Sequence, residues 1–265
     1  MDIIKENIRG AELTVYLHDG EWRDTPKTRD MMLVLPGGGY AGVEYREGEP
    51  IALEFMTRSY NTAVLRYSVA PSTFPTALLQ AAAAVAYLKD HKEEFKIDRI
   101  FAVGFSAGGH LCASLGTLWN KPFVSEALGR PNEDFKVDGM ALSYPVISSG
   151  EFAHKGSIEN LLGENYGKEE YMEQVSLEKQ VSKDTVPTFI WATVTDQVVP
   201  SENSLLFATA LKKNNIPFSL HLFPFGDHGL CTCNKETLPI WGMVTEGSEY
   251  MHIWFDLADS FFNKI

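Results

Sequence analysis

A chain of 265 residues, 45% hydrophobic and 22% charged, can fill the core of one large α/β domain without needing a second. Its net charge of −12 argues against nucleic acid as a partner, because contact with a phosphate backbone needs a basic face. No apolar run nears the ~20 residues that span a bilayer, and Met1-Asp2-Ile3-Ile4-Lys5-Glu6-Asn7 lacks the pattern of a secretory signal. The expectation is a cytoplasmic protein with no membrane partner. Cys112, Cys231 and Cys233 make no disulfide framework, which agrees with a reducing compartment.

Glu12 to His18 alternates apolar and polar residues as a partly exposed strand does. Met31 to Leu35 is a short buried strand that runs into Pro36-Gly37-Gly38-Gly39. Thr62 to Arg66 is another, followed by a loop punctuated by Pro71 and Pro75. Thr76 to His91, with four consecutive alanines from Ala81, is a helix on propensity and periodicity. Ile100 to Val103 is a strand, and a helix runs from Ala107 to about Leu118. Val137 to Ser143 and Thr188 to Val194 are further strands. Ser201 to Asn214 is a helix opened by a serine cap, Phe218 to Phe223 a strand, and Tyr250 to Phe262 a closing amphipathic helix. Short apolar strands alternating with helices predict an α/β fold, with a mainly parallel central sheet covered on both faces. The polar stretch at about 145–187 is expected to be a helical insertion or lid within a single domain.

Gly104-Phe105-Ser106-Ala107-Gly108 falls between the Ile100 strand and the Ala107 helix, the setting of a nucleophile elbow. There the glycines make room for a strained turn that pushes the serine hydroxyl out at the end of the sheet. Such a serine needs a base. Of the later histidines, His110 lies in the helix behind it, His154 in the insertion, His221 inside a strand and His252 in the last helix. His228 sits in Pro224-Phe225-Gly226-Asp227-His228-Gly229, a turn-rich loop just past a strand, and is the expected base. The acid should follow the preceding strand, where Asp196 stands. Asp227 is a turn residue beside the histidine, and Asp138 lies at the wrong strand end. Backbone amides of Gly38, Gly39 and Ala107 are the expected oxyanion donors. Neither a Walker pair nor a GxGxxG pattern follows the glycines, so a nucleotide site is not expected. His228, Cys231 and Cys233 lack an evident fourth ligand, so no metal and no cofactor is expected.

Leu33-Val34-Leu35-Pro36-Gly37-Gly38-Gly39-Tyr40, Gly104 through Leu111, and Asp196-Gln197-Val198-Val199-Pro200 through His228-Gly229 resemble α/β-hydrolase esterases. The chain is most similar to short, acetyl-xylan-esterase-like carboxylesterases, related to the hormone-sensitive-lipase-like enzymes, from about Leu13 to the terminal helix. The resemblance implies an α/β-hydrolase fold, Ser106, Asp196 and His228 as a triad, and Gly38, Gly39 and Ala107 as oxyanion hole. Pro36 stands where the lipase-like relatives carry the histidine of an HGGG motif, and no long helical cap precedes the first strands. Both departures favour a small acyl group on a polar alcohol over a lipid. The expected activity is hydrolysis of short-chain, chiefly acetyl, esters of carbohydrates such as acetylated xylo-oligosaccharides. The partner is then a small-molecule or oligosaccharide ester, with a homo-oligomer left open. A small amidase, formamidase or peptidase on the same machinery is the first alternative. A hydrolase-fold binding protein without catalysis is the second.

Overall fold

The computed structural model describes residues 1–19, 28–238 and 248–265. Its strands are β1 (Asp2–Ile8), β2 (Ala11–Leu17), β3 (Arg29–Leu35), β4 (Asn61–Arg66), β5 (Ile97–Phe105), β6 (Gly139–Ser143), β7 (Thr188–Thr193) and β8 (Phe218–Phe223). They form one eight-stranded sheet in the order β1-β2-β4-β3-β5-β6-β7-β8. β2 pairs antiparallel with both β1 and β4, and every pair from β4 to β8 is parallel.

Period-two alternation divides the apolar side chains between two faces. Met31, Leu33 and Leu35 of β3 and Ile100 and Ala102 of β5 point to one face. There they meet α2 (Thr76–Asp90), α3 (Ala107–Leu118) and α7 (Glu202–Lys213) through Val85, Leu111, Phe207 and Leu211. Met32, Val34, Phe101, Val103, Phe105, Phe189 and Trp191 point to the other, against α1 (Glu49–Met56) and α8 (Trp254–Phe262). The remaining helices, α4 (Pro122–Leu128), α5 (Lys155–Leu162) and α6 (Glu169–Gln174), lie in connections, the last two within the segment read from sequence as an insertion. This is the α/β-hydrolase architecture. Among the described residues no helix is long and apolar enough to cross a membrane.

Several elements differ from the sequence reading, which has no counterpart of α1 or α4. β1 pairs with β2 as a hairpin, but most of its side chains are exposed, so it carries no apolar signature. The closing helix begins as a 3-10 turn, Glu249–Ile253, and becomes α-helical at Trp254. Ser201 does occupy the N-cap position of α7, yet its side chain makes no capping hydrogen bond. Asn203 instead turns its amide to the carbonyls of Pro200 and Phe152.

Trp254 anchors the second core layer. Its ring stacks on Phe255 at 3.8 Å and Trp191 at 5.4 Å, and its indole N–H donates to the Cys231 carbonyl at 3.1 Å. Trp254→Ala should leave a large cavity and take from the Cys231 carbonyl its indole N–H donor, leaving the Cys233 thiol on it. We expect it to lower unfolding free energy by about 3–5 kcal/mol, read from urea denaturation.

Candidate active site

Parallel strands deliver their following loops to one edge of the sheet, the usual ligand edge of such folds. β3 and β5 finish in register, with Leu35 opposite Gly104, and β5 and β6 finish with Phe105 opposite Ser143. The loops after β3, β5, β7 and β8 carry Gly37 to Gly39, Ser106, Asp196 and His228.

Ser106 has φ 52° and ψ −118°, a conformation rare for a residue with a side chain, and the first residue of α3 follows it at once. The turn closes because its neighbours are glycines. A Cβ on Gly104 would collide with the Gly108 carbonyl, and one on Gly108 with the carbonyls of Leu35 and Pro36. Ser106 makes no capping bond to α3, so its hydroxyl remains available.

His228 Nε2 lies 2.8 Å from Ser106 Oγ, and His228 Nδ1 lies 2.7 Å from Asp196 Oδ2. Asp196 Oδ1 accepts the amides of Val198 at 2.8 Å and Val199 at 2.9 Å, so the carboxylate cannot turn away from the ring. Its side chain is fully buried, and that of His228 is 11% exposed. Thr195 Oγ1 accepts the Gly226 amide and donates to the Gly226 carbonyl, joining the acid loop to the histidine loop. A hydroxyl, an imidazole and a carboxylate in line can move a proton off the hydroxyl and stabilise the resulting imidazolium.

Gly38 and Gly39 both have positive φ, 122° and 64°, and a Cβ on Gly38 would strike the Gly42 carbonyl. The Gly38 carbonyl turns back to accept the amides of Ala41 and Gly42, while Tyr67 donates to the Pro36 carbonyl at 2.6 Å. Among the described residues, the Gly38 and Gly39 amides donate to no protein acceptor. Ala107 N–H heads α3, where no intrahelical acceptor exists.

The other candidates lie elsewhere. His110 is buried between Tyr40 Oη and the Val175 carbonyl, and burial pushes it down to about 4. His221 contacts Ser219 Oγ in β8, His252 the Thr232 carbonyl, and Asp138 accepts the Ile100 amide. The free thiols of Cys231 and Cys233 are buried, and among the described residues no group of three or more His, Cys, Asp or Glu could hold a metal ion.

Three side chains passed over in the sequence border the site. His154 opens α5 with Nδ1 2.7 Å from Ser157 Oγ, and burial, then the neighbouring His228, hold its pKa below the ordinary value. Asn160 of the same helix donates to the Gly39 carbonyl at 2.9 Å. Tyr144 sets its ring edge-on to His228 at 5.0 Å. The signal available for His154 and Asn160 was their place in a polar segment with histidine at its head, which by itself marks only a helix start.

Residues 13–211 match the BD-FAE family model. The chain is 40% identical over 249 residues to an endo-1,4-β-xylanase B of Butyrivibrio fibrisolvens, which covers 90% of this chain and 37% of that protein. It is 29% identical over 204 residues to an acetylxylan esterase of Xylanibacter ruminicola, covering 74% of this chain and 40% of that one. The chain thus spans about two fifths of the length of these curated relatives. An acetyl ester-xyloside bifunctional hydrolase from Caldicellulosiruptor lactoaceticus superposes with a TM-score of 0.80 at 37% identity, over 96% of this chain and 88% of that one. The fold, the strand-end glycine and serine loops and these likenesses agree: the chain belongs to the BD-FAE family and has the α/β-hydrolase fold.

Proposed function

We propose that the protein is a serine esterase that removes short acyl groups, chiefly acetyl, from carbohydrate esters such as acetylated xylo-oligosaccharides. One observation carries the reading: the hydrogen-bonded line from Ser106 Oγ through His228 to Asp196, at 2.8 and 2.7 Å, beside the glycine loop. Ser106 Oγ attacks the ester carbonyl as His228 Nε2 takes its proton, and Asp196 stabilises the imidazolium. The tetrahedral oxyanion rests on the amides of Gly38, Gly39 and Ala107. His228 then returns the proton to the departing alcohol, leaving an acyl-serine. Water, deprotonated by the same imidazole, attacks the acyl-serine and releases the acid.

The acetyl and carbohydrate parts have narrower support. Ser106 is only 8% exposed, which favours a small acyl group. Relatives with an acetylxylan esterase name and an acetyl ester-xyloside hydrolase name favour a xylan-derived alcohol. The xylanase name belongs to a protein of which this chain matches little more than a third. Glycoside hydrolysis uses a pair of carboxylates across the bond, whereas Asp196 is engaged by an imidazole and two amides.

The test is acetate release from acetylated xylo-oligosaccharides, alongside matched butyryl esters and an aryl acetanilide. We expect kcat/KM for the acetyl ester to exceed that for the butyryl ester by at least about tenfold, each methylene misfit costing about 1–3 kcal/mol. Preferred cleavage of the anilide would move the assignment to an amidase.

A further inference from the structure

Behind Ser106 lies a second carboxylate that the proposed mechanism does not use. Glu47 is 3% exposed, and its two oxygens reach different loops. Oε2 accepts the Gly37 amide at 2.7 Å, at the start of the glycine loop. Oε1 accepts the Tyr144 hydroxyl at 2.9 Å, in the connection after β6. The Tyr144 oxygen in turn accepts the Cys231 amide at 3.0 Å, so its own proton is directed to Glu47. Cys231 Sγ sits 3.8 Å from Oε1 but is closer to the Gly229 carbonyl, at 3.1 Å. A Cβ built on Gly37 would fall 2.6 Å from Glu47 Oε2 and 3.0 Å from Ser106 Cβ, so the carboxylate and the serine flank one glycine. Tyr144 links the same carboxylate to the histidine loop, with its ring against His228.

The protonation state follows from the neighbours. Each hydrogen-bonding group around Glu47 presents a donor, which suits an anion that can only accept. Burial raises its carboxyl above the ordinary value, and Tyr144, His228, the Gly37 amide and Arg46 offset part of that rise. The Arg46 guanidinium lies on the carbonyls of Gly229 and Thr237 and 3.5 Å from Cys231 Sγ, bracing the same loop. Tyr67, from the connection after β4, completes the titratable groups that couple to Glu47.

We propose that Glu47 is a positioning residue of this esterase site. Its buried carboxylate ties the glycine loop to the histidine loop through Tyr144 and, as an anion, favours the imidazolium that forms at His228 during acylation. The inference rests on the serine-esterase reading above.

Glu47→Gln keeps the size and one acceptor but removes the charge, and Tyr144→Phe cuts the tether but leaves the charge. Both are compared with the parent and with Ser106→Ala on an aryl acetate across pH, with thermal melting to establish folding. For Glu47→Gln we expect kcat to fall by about 10- to 100-fold, KM to stay within about threefold, and the acid limb of kcat/KM to move to lower pH. Tyr144→Phe should lower kcat by about 3- to 30-fold with the acid limb in place. A merely structural residue would not move that limb. A folded Glu47→Gln with parental kcat or an unmoved limb overturns the proposal. If Glu47→Gln does not fold, Tyr144→Phe decides: parental kcat overturns it, and the expected loss with unchanged KM supports it. A parent enzyme inactive on aryl acetate, or matched by Ser106→Ala, overturns the esterase reading and this inference together. Parental kinetics in Glu47→Gln beside an inactive Ser106→Ala overturn this inference alone.

Discussion

Ser106→Ala should lower kcat for an aryl acetate by on the order of 10⁴- to 10⁶-fold while leaving the fold intact. The loss is chemical because the hydroxyl has no structural duty. It does not cap α3, and its side chain lies 2.8 Å from His228 Nε2. Alanine meets the same backbone strain at φ 52° as serine does, so the elbow is neither relieved nor further strained. Circular dichroism and melting temperature should match the parent. A fluorophosphonate should label the parent once per chain and leave the variant unlabelled. Residual turnover above about a tenth of parental would place the nucleophile elsewhere, since oxyanion donors and binding alone give only the small background that triad deletions leave.

The parts of this molecule that could be read from sequence are those with a short-range physical signature. β3, β5 and β7 are apolar runs buried on both faces, and each ends in a loop whose composition departs from its surroundings. Ser106 and Asp196 could be singled out because each follows such a strand, and His228 because it lies in a turn-rich loop just past the half-buried β8; in space the imidazole falls within hydrogen-bond distance of both. β1 escaped because a half-exposed hairpin strand has no apolar face to betray it. α1 escaped for a different reason: it starts at Gly48 with no side-chain cap and has Pro50 in its first turn, so its opening resembles a continuing loop.

Glu47 is the clearest case of a residue that local reading could not find. It lies in Glu44-Tyr45-Arg46-Glu47-Gly48-Glu49, where alternating charges look like solvated surface. Its burial is produced by contacts 97 and 184 positions away, at Tyr144 and Cys231. Its position soon after a glycine loop was the one available hint. His154 was similarly hidden, because what brings it beside the site is the return of the segment at about 145–187 over Gly39, through Asn160 and Ser157.

Asp196→Asn should reduce kcat by about 10⁴-fold, whereas Asp227→Asn should stay within about threefold of the parent. The two aspartates are the rival acids in sequence, and Asp196 is the one seen to reach the imidazole. Asp196 presents Oδ2 to His228 Nδ1 at 2.7 Å and Oδ1 to two amides. An asparagine there will keep its oxygen on the Val198 and Val199 amides, because the reverse orientation sets an NH₂ against two N–H donors. Its NH₂ must then face Nδ1, which turns from donor to acceptor. The imidazole proton moves to Nε2 and points at Ser106, so the base presents a proton to the hydroxyl it should deprotonate. The loops stay hydrogen-bonded, so stability should change little compared with activity. Nitrogen-15 NMR of the histidine ring reads the tautomer directly, with the proton on Nδ1 in the parent and on Nε2 in the variant. A large loss of kcat with the parental tautomer retained would mean that Asp196 acts through loop structure and not through the imidazole. An equal loss in Asp227→Asn would remove the distinction between the two acids.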